Sequence, residues 1–99
     1  VTITDITTKI QARDGVATVL YTKPDCRQCD MTKMLLDRED IHYTAVDVTE
    51  DPDALDFIKA LGYMAAPVVY TSTETGDVHW SGFQPTKIRE HITHRPEAA

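Results

Sequence analysis

Two cysteines stand with two residues between them in the stretch KPDCRQCD, residues 23–30, and the chain has no others. Thiols at this spacing support two chemistries: reversible disulfide exchange, or half of a metal site. A structural framework of the secreted kind is excluded, because it needs four or more cysteines. A lone close pair points to a reducing compartment, where a disulfide is usually transient and catalytic. The metal alternative would draw on His91 and His94, three apart near the end of the chain. Their distance from the cysteines is far greater than a zinc-finger spacing allows. These histidines read instead as solvated residues near a helix C-terminus, where positive charge is favourable.

The elements around the pair decide which thiol attacks. Residues 16–22, VATVLYT, form an apolar, β-rich run and read as a buried strand stopped by Pro24. A helix is expected over residues 27–38, with Met31, Met34 and Leu35 on its core side. Cys26 then lies at the helix N-terminus, where unpaired N–H groups and the positive end of the dipole favour a thiolate. Lys23 and Arg27 add positive charge, and Asp25 opposes it. A cysteine starting at about 8.5 is substantially ionised at neutral pH once that value drops by about one or two. Cys29, one turn further in, should be more buried and more protonated. Cys26 is therefore the expected nucleophile and Cys29 the thiol that resolves the mixed disulfide.

The remaining elements follow from periodicity and turn chemistry. Asp40 ends the first helix in the left-handed region that aspartate tolerates at some cost. Residues 42–48 read as a second strand. Asp51 caps a helix with Pro52 at its first position, and this helix stops at Gly62. Residues 67–72 form a third strand, 73–77 a hairpin loop, and 78–80 a fourth strand. A last helix starts at Pro85 and runs to about His94. The order β-α-β-α-β-β-α predicts an α/β fold: a four-stranded mixed sheet with helices on both faces. Its first two strands are parallel and its last two antiparallel. Residues 1–15 read as a partly ordered polar extension, 16–95 as the domain and 96–99 as a tail. Ile3, Ile6 and Ile10, or Val1 and Ile3, are too thin a signal to choose helix or strand for the extension.

Composition bounds the function. Ninety-nine residues make one domain. The net charge of −6 argues against nucleic acid as a partner. Eight carboxylates and one base fall in residues 37–56, whereas residues 23–33 hold three bases and two acids. The thiols thus sit in a locally basic patch, and the acidic stretch reads as a solvated face. No apolar run has the length of a membrane span, and no signal segment is recognised, so no membrane association is expected.

Pro67, after Ala65 and Ala66, opens the third strand. In cis it would turn the backbone of Ala66 toward the cysteines, where an extended substrate could pair with it. In trans it would merely start a strand. Met64 is a candidate for lining the same groove.

Three segments, YTKPDCRQCDMTK, LGYMAAPVV and HWSGFQPTKI, resemble in order those of the NrdH-redoxins, small glutaredoxin-like proteins with a thioredoxin fold. The resemblance spans residues 16–94. It implies a cytoplasmic, monomeric thiol–disulfide oxidoreductase that donates electrons to the large subunit of class Ib ribonucleotide reductase. It further implies recharging by thioredoxin reductase, whose FAD passes on electrons from NADPH, with no cofactor bound to this chain beyond the redox-active Cys26–Cys29 disulfide. The family's redox pair falls on Cys26 and Cys29, with Gln28 between them, and its cis-proline on Pro67. Its signature falls on Trp80, Ser81, Gly82 and Phe83, expected as a docking surface beside the thiols. Ordinary glutaredoxins resemble one another in a Gly-Gly pair and a following Asp that seat glutathione; HWSGF has neither. The chain departs from the family in Arg27 for an apolar residue, Gln84 for arginine, Asp40 for glycine, a long hairpin loop and the extension. The broader alternative is a general glutaredoxin or thioredoxin.

Overall fold

The computed structural model describes residues 17–73 and 76–93. Residues 1–16, 74, 75 and 94–99 lie outside the described residues, and with them the expected extension, the tail and His94. Strand β1, Ala17–Thr22, is buried along its whole length. That explains why its sequence is a continuous apolar and β-branched run rather than an alternation. It pairs in parallel with β2, Thr44–Asp47, from Val19↔Thr44 to Thr22↔Asp47. On its other side it pairs antiparallel with β3, Val68–Thr73, which pairs antiparallel with β4, Gly76–Ser81. The sheet order is β2-β1-β3-β4.

The period of two along each strand splits the core into two layers. Val19, Tyr21 and Val68 face helix α2, Pro52–Ala60, and pack with its Ala54 and Ile58. Leu20, Val69 and Trp80, aligned by Leu20↔Val69 and Val69↔Trp80, face the other way. They pack with Leu35 and Leu36 of helix α1, Arg27–Arg38, and with Ile88 of α3, Pro85–Ile88. Each fully buried Leu, Ile or Val contributes about 1.5–3 kcal/mol relative to exposure. Both faces are thus covered, as the element order requires.

Both longer helices end in the same device. After α1, the Asp40 N–H donates to Asp37 O (3.0 Å) and the Ile41 N–H to Leu36 O (2.9 Å). After α2, the Gly62 N–H donates to Lys59 O (2.9 Å) and the Tyr63 N–H to Ile58 O (3.0 Å). These are Schellman turns, which need a left-handed residue one past the cap. Gly62 supplies it with φ 99°, Asp40 with φ 59°.

Several expectations are corrected. Met31 and Met34 are not core: they are 37% and 68% exposed. The buried stripe of α1 consists of Cys29, Thr32, Leu35 and Leu36, so the methionines fall on the outer side. Thr32 tolerates burial because its hydroxyl donates to Gln28 O (2.8 Å). The hairpin is tighter than expected. Strands β3 and β4 run on until Thr73 pairs with Gly76, and the Thr73 hydroxyl donates to Gly76 O (2.6 Å). The last helix is α-helical only over Pro85–Ile88 and continues as a wider π turn, Arg89–Thr93. His91 lies in that turn, its ring 5.9 Å from that of Trp80, so it packs on the core instead of standing free in solvent. Strand β2 is shorter than the expected residues 42–48.

Candidate active site

The loop from β1 to α1 places the thiols. Asp25 takes a left-handed backbone, φ 54°, which turns the chain so that Cys26 becomes the N-cap of α1. Cys26 Sγ accepts a hydrogen bond from the Cys29 N–H (3.2 Å). This N–H is one of the donors that a helix start leaves unpaired, so the sulfur takes the place of the usual capping oxygen. Once reduced, Cys26 is therefore favoured as a thiolate by a hydrogen bond as well as by the dipole. Cys26 and Cys29 form a disulfide with their Cα atoms 5.2 Å apart. Cys26 keeps 8% exposure and Cys29 none, so an incoming group meets Cys26 first. Lys23 and Arg27 are exposed at the rim.

The Ala66–Pro67 peptide is cis. The Ala66 carbonyl lies 3.9 Å from Cys26 Sγ. Pro67 is buried, whereas Met64 just upstream is 89% exposed. The segment after β4 closes the third side. The Gly82 N–H donates to Pro67 O (2.8 Å) and the Phe83 N–H to Gln28 Oε1 (3.0 Å). Gln28 thus ties the cysteine turn to the signature segment across fifty-five residues of chain. A Cβ at Gly82 would sit 3.3 Å from Gln28 Oε1, and its φ of 82° itself requires glycine. Gln84, standing where the resemblance has arginine, donates from Nε2 to Ser81 O (2.7 Å) and so holds the same segment by a neutral bond.

The site therefore brings together Cys26, Cys29, Gln28, Ala66, Pro67, Ser81, Gly82 and Phe83. Trp80 is a correction. It was expected on the docking surface, but only 4% of it is exposed. It points into the layer of Leu20, Leu35 and Val69, because strand alternation turns it inward while Ser81 turns the other way. Two features were not read from sequence: the Gln28–Phe83 bond, and a Tyr63–His79 hydrogen bond beside the loop that carries Met64. Among the described residues, no group of three or more His, Cys, Asp or Glu is placed to hold a metal ion. No helix among them is long and apolar enough to cross a membrane.

A C-x-x-C disulfide pair on a helix N-terminus, with its outer sulfur accessible beside a cis-proline turn, is the site of a thiol–disulfide oxidoreductase built on a thioredoxin fold. Comparisons with known proteins agree. The Glutaredoxin family model matches residues 18–75. The glutaredoxin-like protein NrdH of Salmonella typhimurium is 40% identical over 81 residues, covering 81% of this chain and 93% of that protein. Its Escherichia coli counterpart is 35% identical over 69 residues, covering 70% and 80%. The solved structure of the E. coli NrdH-redoxin superposes with a TM-score of 0.67 at 30% identity, over 83% of this chain and 99% of that one. A thioredoxin from Fasciola hepatica, at 23% identity and TM-score 0.66 over 94% and 93%, shares the fold. The chain belongs to the glutaredoxin family and, within it, to the NrdH-redoxins.

Proposed function

We propose that this protein carries electrons from thioredoxin reductase to class Ib ribonucleotide reductase in the cytoplasm. The Cys26 thiolate attacks one sulfur of the reductase large subunit's disulfide. A mixed disulfide forms and one partner thiolate leaves. The Cys29 thiolate then attacks Cys26 Sγ, releasing the second partner thiolate and closing the Cys26–Cys29 disulfide. Two electrons pass to the partner, and two protons restore its thiols. Thioredoxin reductase reopens the disulfide with two electrons drawn from NADPH through its flavin. An extended partner segment lies against the Ala66 backbone, with Met64, Ser81, Gly82 and Phe83 around it. Lys23 and Arg27 supply positive charge at the rim.

The observation that carries this reading is the hydrogen bonding of Gly82 to Pro67 and of Phe83 to Gln28. It ties down, with one glycine between Ser81 and Phe83, the segment in which glutathione-using relatives keep a glycine pair. The similar E. coli protein is described as having a thioredoxin-like activity profile, which supports the same choice of reductant. A potential nearer thioredoxin, about −270 mV, than glutaredoxins, about −200 to −230 mV, is expected. The test is NADPH oxidation with this protein and a small disulfide. One arm supplies thioredoxin reductase, the other glutathione with glutathione reductase. Turnover only with thioredoxin reductase is expected, followed by turnover with the ribonucleotide reductase itself. Turnover with glutathione would overturn the reading in favour of a general glutaredoxin.

A further inference from the structure

The backbone that faces Cys26 is reached from α2 through a short segment, exposed Met64 and Ala65 and half-buried Ala66. Its downstream end is fixed by buried Pro67 and the Gly82–Pro67 hydrogen bond. Its upstream end is Tyr63, whose N–H closes the Schellman turn on Ile58 O. The Tyr63 side chain reaches across to the sheet. Its hydroxyl lies 2.7 Å from His79 Nδ1, and the two rings meet edge to face at 5.5 Å. His79 in turn stacks on Tyr70 of the neighbouring strand, with ring centroids 5.7 Å apart and planes 6° from parallel. The Tyr70 hydroxyl donates to Asp77 Oδ2 (2.6 Å), and Tyr70 also packs on Phe57, 5.5 Å away. His79 is therefore held by the register Tyr70↔His79 and by aromatic packing, and Tyr63 is held by His79.

We propose that Tyr63 and His79 form a latch that positions the Met64–Ala66 segment for protein disulfides, making His79 a positioning residue for macromolecular substrates. The inference rests on the docking of substrate chain along Ala66 proposed above. A protein substrate needs the backbone of that segment in place before its sulfur reaches Cys26. A small disulfide needs only the sulfur. The latch should therefore matter for one class of substrate and not the other.

The test uses the full chain, reduced beforehand and freed of reductant, mixed with insulin as the protein disulfide or with 5,5′-dithiobis(2-nitrobenzoate) as the small one. Tyr63→Phe and His79→Phe each remove the hydrogen bond while keeping a ring. Each is expected to lower the second-order rate with insulin by about two- to tenfold, the range of one neutral hydrogen bond. Their rates with the small disulfide should match the parent. The double variant should be no slower than either single one. His79→Asn keeps an acceptor near the Nδ1 position but gives up the stack on Tyr70, so it should recover part of the insulin rate that His79→Phe loses. Additive losses, equal losses on both substrates, no loss, or no recovery with His79→Asn would each overturn the latch. Met64→Glu separates this failure from that of the docking reading. If Met64→Glu leaves the insulin rate unchanged, the segment is not the docking surface and both ideas fall. If it slows insulin while Tyr63→Phe does not, the latch alone falls.

Discussion

Replacing Asp40 with glycine should stabilise the protein. Asp40 occupies the left-handed position of the Schellman turn after α1, with φ 59°. That backbone costs an L-residue about 1–2 kcal/mol, less for aspartate than for most. Glycine avoids the cost but gives up about 0.5–1 kcal/mol of extra freedom in the unfolded chain. The net gain is about 0.5–1 kcal/mol, which in a domain of this size raises Tm by about 2–8 °C. Removing the carboxylate from the negative end of the helix adds a few tenths of a kcal/mol at most, about 0.3 at an exposed site. Asp40→Asn measures that part alone, since asparagine also tolerates the left-handed region. Asp40→Ala loses the charge yet keeps the strained backbone, so it should fall below both. Urea unfolding of the oxidised protein, followed by circular dichroism, gives the order Gly above Asn above Ala, with unchanged m-values. The rate with a small disulfide should not move, because the cysteines lie at the opposite end of α1. If alanine proves as stable as glycine, the backbone conformation at residue 40 is not what limits this turn, and the reasoning is refuted.

Other outcomes follow from the same geometry. Cys29→Ser should stop the reaction at a mixed disulfide on Cys26, visible as a persistent adduct in intact mass, whereas Cys26→Ser should form none; an adduct on Cys29 in the latter would reverse the assigned order. Gly82→Ala should cost about 1–2 kcal/mol from its backbone conformation, and adding Gln28→Ala should not rescue it, because the strain lies in φ more than in the 3.3 Å contact; full rescue in thermal melts would shift the blame to the contact. Burial first, then Tyr70 and Asp51, pushes Tyr21 up to about 12, and burial with the Asp77 hydrogen bond does the same for Tyr70. The fold thus favours the neutral phenols. Their stabilising contribution is whole below the unfolded value of about 10 and is lost as pH rises through about 12. Tyr21→Phe should flatten that alkaline decline in urea titrations at pH 8 and pH 11, and an equally steep decline would count against it.

Much of this protein was legible in its sequence because the signals involved are local. Pro52 after Asp51 fixed the start of α2, and the helix holding the cysteines runs over Arg27–Arg38 as its pattern predicts. Cys26 at the helix start and Cys29 one turn inward follow from spacing alone, and so does their unequal exposure. Side-chain direction was less secure. In α1 the methionines are more apolar than Thr32, yet Thr32 is buried and they are not, because a threonine can satisfy its hydroxyl on the preceding turn. Trp80 needed the strand register to show that it turns into the core. The Gln28–Phe83 and Tyr63–His79 hydrogen bonds join residues that no periodicity relates. The sequence by itself thus determined where the thiols sit and which one is the more exposed, since helix starts, caps and two-residue spacings are set within one turn of chain. Only the tertiary structure decided what holds the other walls of the site, since those contacts exist only once β1, β3 and β4 have paired and brought distant segments within a hydrogen bond of each other.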